Sequence, residues 1–130
     1  MNRIERLMNE YGNMNYAFRS DMPEGLSGLI VQTTIYLRPY ETEARVYTTL
    51  AEELGHYETS SNKDVTNYDK YRKEELRARE WGYKKIIPTS DFERFKSGEQ
   101  VHDYYVSDEL DLPIDVVRGA YDMYKRKGVL

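Results

Sequence analysis

The sequence predicts a small α+β protein, and three observations carry that reading. A run of β-branched and aromatic residues at 29–37 ends at Pro39, two long stretches of helical periodicity follow it, and another amphipathic stretch begins near residue 114. A chain of 130 residues suits one domain, or one domain with a small appendage, and is long enough to bury a core. With 39% hydrophobic and 32% charged residues and a mean hydropathy of −0.84, it has the composition of a globular protein with a heavily solvated surface.

Ile4, Leu7, Met8 and Tyr11 recur at i, i+3, i+4 and i+7, which predicts a short packing helix in the first dozen residues, stopped at Gly12. From Asn13 the helical period disappears, and Asp21-Met22-Pro23-Glu24-Gly25 has turn chemistry. Residues 29–37 predict a strand or a tight hairpin. Between Glu41 and Glu58, Tyr47, Leu50, Ala51, Leu54 and Tyr57 fall at helical spacing, with Glu41 and Glu43 near the positive end of the helix dipole. The polar stretch 59–69 predicts a loop. A second long helix is expected over about 71–85, where Glu75 and Arg79 can pair at i, i+4, and it must end before Pro88.

Ser90-Asp91-Phe92-Glu93 has capping-box spacing and predicts a short helix closed by Gly98, with one or two more turns over 100–105. Pro113 stands well as the first residue of a last helix, whose apolar stripe is Val117, Ala120, Tyr121 and Tyr124 and whose negative end suits Lys125, Arg126 and Lys127. The only candidate boundary, near Pro88 to Ser90, divides a core at 1–88 from a helical C-terminal extension at 89–130 packed on it.

Several function classes are excluded or disfavoured. No apolar run approaches the roughly 18 residues of a spanning helix, and Met1-Asn2-Arg3-Ile4-Glu5-Arg6 alternates charges where a signal peptide is apolar, so the expected location is cytoplasmic, away from membranes. Zero cysteines rule out disulfides, thiolate zinc sites and a cysteine nucleophile, leaving His56 and His102 as the only imidazoles. The net charge of −4 gives no global electrostatic footprint for nucleic acid and leaves only a local patch open. Residues 100–127 loosely resemble a helix-turn-helix, yet 91–130 hold nine acidic against six basic side chains. Thirteen tyrosines, against three Phe and one Trp, supply core filling and binding anchors alike.

Leu50-Ala51-Glu52-Glu53-Leu54-Gly55-His56-Tyr57 is the most informative stretch. In the H-E-x-x-H pattern, two ligands one helical turn apart hold a metal, and the intervening Glu acts as general base on the bound water. Here the pattern is E-E-x-x-H: Glu52 and His56 stand one turn apart, and Glu53 occupies the general-base position. A bare E-E-x-x-H also arises on ordinary charged helices. In that competing reading Glu52 and Glu53 form a solvated acidic face, His56 is a structural histidine and Glu75 pairs with Arg79.

With its second helix, the sequence resembles the ImmA/IrrE family of gluzincin-like metallopeptidases. The family's active-site helix commonly reads L-A-H-E-L-G-H, with a phage-related subset reading L-A-E-E-L-G-H-Y, as here. Gly28-Leu29-Ile30-Val31 with Ile35-Tyr36-Leu37 resembles the hairpin before that helix. Glu75-Leu76-Arg77-Ala78-Arg79-Glu80-Trp81-Gly82 with Ile86-Ile87-Pro88 resembles the E-x-x-A-x-x-F-A helix and its stop. The resemblance is good over about 24–88 and looser over 109–128.

It implies a fold in which a short hairpin packs on the active-site helix and on a second ligand helix, followed by a helical tail. It also implies a metal held by Glu52, His56 and Glu75, with Glu74 as the competing register, and Glu53 as catalytic base. Zinc is the expected cofactor, with Mn²⁺ or Fe²⁺ accommodated by so carboxylate-rich a site. The implied partner is a protein substrate, a phage-type or mobile-element repressor, and the alternative is an inactive interaction protein that keeps the fold. Two positions depart from the family pattern: Glu52 replaces the first histidine, and Gly82 replaces an Ala at some loss of helix propensity. Trp81, Ala78 and Leu54 are expected in the core, and His102 at the surface or in a cap.

Overall fold

Asn2 opens the first helix, its side-chain oxygen accepting from the Glu5 N–H at 2.9 Å, and α1 (Arg3–Glu10) turns Leu7 inward. The structure, a computed structural model, describes residues 1–60, 68–98 and 100–130. Two short strands follow the expected hairpin, β2 (Gly28–Val31) and β3 (Thr34–Leu37), antiparallel with Val31 opposite Thr34 and Gly28 opposite Leu37. Gln32 makes the two-residue turn at a φ of 55°, a left-handed conformation unusual for a residue with a side chain.

The sequence reading did not anticipate β1 (Asn15–Phe18), which runs parallel to β3 with Asn15 opposite Thr34. The sheet order is therefore β1-β3-β2. Central β3 sends Ile35 and Leu37 into the core from one face, as the two-residue period requires.

Helix α2 (Glu43–Thr59) begins where the Thr42 hydroxyl accepts from the Arg45 N–H at 3.2 Å, and it buries Val46, Leu50, Ala51 and Leu54. Helix α3 (Tyr68–Ile86) starts three residues before its expected position; the rest of the loop expected over 59–69 lies mainly outside the described residues. The two helices approach closely because small residues face each other. A Cβ on Gly55 would overlap the Ala78 backbone carbonyl, and one on Gly82 would lie 3.3 Å from the Ala51 carbonyl carbon. Gly82 thus has a packing role that offsets its low helix propensity. Ala78 and Leu54 are fully buried and Trp81 partly so, its ring edge-to-face with Tyr11 at 6.0 Å.

After Pro88 the chain departs from expectation. Helix α4 (Thr89–Arg94) starts immediately, with Pro88 itself at the cap and no side-chain cap bond, so Ser90 lies inside the first turn and forms no capping box. The proline fixes the backbone at the entry, and the Asp91 N–H finds the Pro88 carbonyl at 3.0 Å. Gly98, at a φ of 66°, turns the small hairpin of β4 (Lys96–Ser97) and β5 (Gln100–Val101) instead of closing that helix. Helix α5 (Asp103–Leu110) replaces the shorter turn expected over 100–105 and ends at left-handed Asp111. Helix α6 (Ile114–Arg126) buries Val117, Ala120 and Tyr124 as expected, and Val116 and Met123 in addition.

One hydrophobic cluster runs from Leu7 through Leu50 and Phe92 to Tyr124, drawing on residues from both sides of Pro88. The buried Tyr124 hydroxyl donates to the Ile87 carbonyl at 2.9 Å, which satisfies a polar group within that cluster. Arg3 reaches across the molecule. Its guanidinium donates to Glu43 at 2.6 Å and to the carbonyls of Leu110 and Asp111, each at 2.6 Å, while lying over the Tyr47 ring. Among the described residues, no helix is long and apolar enough to cross a membrane.

Candidate functional site

The close approach of α2 and α3 sets the geometry of the site. With Gly55 seated on the Ala78 backbone, the next residue on α2 and a residue one turn back on α3 come within reach of each other. His56 Nε2 lies 3.2 Å from Glu75 Oε1, and both side chains are largely shielded, at 16% and 31% exposure. The bond to Glu75 is the chief cause that raises the His56 pKa above its usual 6.5; burial opposes it, and the charges of Glu75, Glu53 and Glu52 add to it. Glu75 is thus the α3 residue that meets His56, and the local Glu75–Arg79 pairing of the competing reading gives way to contacts across the helix interface.

Glu53, close enough to this pair to feel its charge, lies against the start of β2. A Cβ on Gly28 would lie 3.1 Å from Glu53 Cγ and 3.4 Å from its Oε1, so the glycine at the start of β2 leaves the space that the carboxyl group occupies. Burial pushes the Glu53 pKa from 4.5 up to about 7; the nearby His56 pulls it down, while Glu52 and Glu75 push it up. A carboxyl group with that pKa is divided between its two forms at neutral pH, the condition in which it can both accept and return a proton.

Glu52 takes a third direction. Its Oε1 lies 3.3 Å from Arg79 Nε, and both side chains line a cleft of about 260 Å³ between α2, α3 and α6, also lined by Thr48, Gly82 and Tyr83. Arg45 and Asp115, paired at 2.8 Å, also line that cleft. Of the three predicted ligands, His56 and Glu75 meet, while Glu52 is engaged by Arg79. Among the described residues, no group of three or more His, Cys, Asp or Glu side chains is gathered as a metal centre would require.

His102 stands at the N-cap of α5 without a side-chain cap bond, its ring edge-to-face with Tyr105 at 5.6 Å. The sequence reading missed the partnership of Arg79 with Glu52 and the space-making role of Gly28. Glycine inside a strand pattern was the available signal for the second.

The profile of the family described as Peptidase_M78, IrrE N-terminal-like domain, matches residues 4–118. Among solved structures, a Mycobacterium tuberculosis transcriptional regulator is similar with a TM-score of 0.66 at 9% identity, over 88% of this chain and 38% of that one. At that identity the likeness is one of fold, and this chain spans well under half the regulator's length. No curated protein matches the sequence. The E-E-x-x-H helix, the Glu75 helix packed against it and a match spanning most of the sequence converge on one assignment: the chain belongs to the IrrE N-terminal-like family of metallopeptidase-type domains.

Proposed function

We propose that the protein is a metal-dependent endopeptidase of the ImmA/IrrE type, acting in the cytoplasm on a repressor protein of a phage or other mobile element. The observation that carries the reading is the pairing of His56 Nε2 with Glu75 across α2 and α3, with Glu53 buried beside them at a pKa near neutrality. One imidazole nitrogen and two carboxylates suit a divalent ion, zinc first and Mn²⁺ or Fe²⁺ next. His56 and Glu75 would hold it, with Glu52 as third ligand once released from Arg79. When bound, the ion would polarise a peptide carbonyl and lower the pKa of its water.

The protein's own residues have separable roles in this reading. Glu53 receives a proton from the attacking water and returns it to the leaving amine, for which its raised pKa suits it. Gly28 leaves room for that carboxyl group against β2. The choice of a repressor as substrate follows from the family resemblance, and the acidic surface of 91–130 favours a protein partner over nucleic acid.

Glu53→Gln removes the base and no ligand, so the variant should retain zinc in calorimetry while cleavage of a co-expressed repressor, followed by mass spectrometry, stops. Generic unfolded peptides should remain uncut by the wild type, and broad proteolysis would overturn the narrow-specificity reading. Glu52→His should bind zinc more tightly than the wild type, because it restores a second imidazole; equal binding would show that position 52 does not face the metal. A second reading, an inactive binding protein, is favoured by the engagement of Glu52 with Arg79. It becomes the better account if the repressor co-elutes intact with metal-loaded protein.

A further inference from the structure

Helix α5 turns two adjacent tyrosines into solvent. Tyr104 is 68% exposed and Tyr105 63%, while Tyr121 and Tyr124 on the next helix pack with the hydrophobic cluster. One turn further along α5, on the same face, stand Asp108 and Glu109, both exposed, and among the described residues neither carboxylate forms an ion pair. Tyr104 joins this stripe to a hollow of about 340 Å³ between α4, β5, α5 and α6. The Arg118 guanidinium lies 5.6 Å from its ring centre and bonds Asp103 at 2.8 Å, and Arg118 and Asp103 both line the hollow. Phe92, Val101 and Tyr121 supply its apolar lining, together with Asp122, which is exposed and, among the described residues, also without an ion pair. We infer that this face of the C-terminal extension docks a basic, arginine- and lysine-rich segment of the protein partner, one side chain entering the hollow beside Asp122 and others lying over Tyr104 and Tyr105. The inference rests on the proposed function only for the owner of that segment: a repressor meets DNA phosphates with just such a basic surface.

Charge and shape agree on that occupant. Four carboxylates, Asp103, Asp108, Glu109 and Asp122, outnumber the two cations beside them, Arg118, already engaged by Asp103, and Lys125, whose Nζ lies 5.9 Å from the Tyr121 ring centre. Such a surface draws cations and repels phosphates and acidic chains. Arginine and lysine carry a charge at the end of an apolar stem, which matches a hollow lined by aromatic rings and a free carboxylate. Exposed tyrosines give a partner large contact area at little cost in side-chain entropy, and their ring faces accept a guanidinium. An apolar partner would instead strip water from the carboxylates and give nothing in return.

Fluorescence anisotropy of a labelled peptide of Arg-Gly repeats, titrated with the full chain at low salt, tests the surface, with the same peptide carrying glutamate for arginine as control. The arginine peptide should bind, more weakly as salt rises, and the glutamate peptide should not. Tyr104→Ser combined with Tyr105→Ser should weaken binding about tenfold, and Asp122→Lys by a similar factor. Glu24→Lys, the same change of charge on the exposed turn before β2, should alter it by less than about twofold. All four substituted side chains are exposed, so the variants should show native circular dichroism. Failure of the arginine peptide to bind overturns the inference, as does undiminished binding by the tyrosine variant. Equal weakening by Glu24→Lys and Asp122→Lys also overturns it, since that marks a bulk charge effect. Co-expression with a repressor separates this surface from the peptidase reading. If the wild type cuts the repressor but does not bind the arginine peptide, the surface falls and the peptidase reading stands. If the peptide binds with the expected losses in the variants while no repressor is cut, the surface stands and the peptidase reading falls.

Discussion

Glu52 and Glu53 are adjacent on α2, about 100° apart around the helix axis, and that rotation carries them into different media. Glu53 turns to the sheet side, where it lies against Gly28 and burial lifts its pKa to about 7. Glu52 turns to the cleft side, where it is half-buried and pairs with an exposed arginine. On the sheet side, close packing decides what a side chain does, and a single added carbon has no place to go. On the cleft side, opposite charges in contact with water decide it, and the contacts are individually weak. The comparison teaches that sequence adjacency on a helix says little about shared function, whereas the surface each residue faces says a great deal.

Three perturbations sharpen or break that contrast. The largest effect belongs to Gly55→Val, which drives side-chain atoms into the Ala78 backbone. Because the obstacle is main chain, no neighbouring side-chain change relieves it, and the expected loss is about 3 kcal/mol or more, or a fall in Tm of roughly 10 °C. A native melting temperature would mean that the two helices are not in close contact.

The second is the pH dependence of the metal-free protein in chelator. Glu53 has a folded pKa above its unfolded value, so its proton stabilises the fold at low pH, and that contribution is lost as pH rises from about 4.5 through about 7. His56, also raised, contributes stability that is complete below its unfolded pKa of 6.5 and lost as pH rises through its folded value. Urea unfolding should therefore show the wild type less stable at pH 8 than at pH 5. Glu53→Gln should recover up to about 3 kcal/mol at pH 8 and flatten most of the slope. An undiminished slope in that variant would place Glu53 in water.

The smallest effect comes from the cleft side. Asp115→Asn breaks the pair with Arg45, whose two side chains are 67% and 37% exposed, and should cost less than about 1 kcal/mol at low salt and still less at high salt. A loss comparable to that of Gly55→Val would erase the distinction between the two sides.

What the sequence revealed follows the same physics. Helix α2 was legible because Tyr47, Leu50, Ala51 and Leu54 repeat over several turns, and the β2–β3 hairpin because β-branched residues crowd 29–37. Strand β1 was not: it has four residues, and its parallel partner β3 begins sixteen residues after its last residue, so no local pattern announces it. The capping box at Ser90 had the right spacing but the wrong start, since Pro88 sets the helix going two residues earlier. The meeting of His56 with Glu75 was legible through the motif on each helix. The engagement of Glu52 was not, because at the level of sequence Arg79 has a nearer partner in Glu75, and only the closeness of α2 and α3 redirects it.

The reach of Arg3 has a consequence for the order in which this chain folds. Its bonds to Glu43 and to the carbonyls of Leu110 and Asp111 join positions 40, 107 and 108 residues apart. Such contacts gain nothing until nearly the whole intervening chain has been brought together, and closing so long a loop costs entropy before any bond repays it. They are expected to form late in the folding reaction, so Arg3→Ala should speed unfolding more than it slows folding in stopped-flow kinetics. A contact made last is absent at the barrier, so it leaves the speed of folding alone and lengthens the life of the folded state. Arg3, far from the E-E-x-x-H helix turn, thus acts as a fastener in time, holding shut a structure whose assembly it does nothing to hasten.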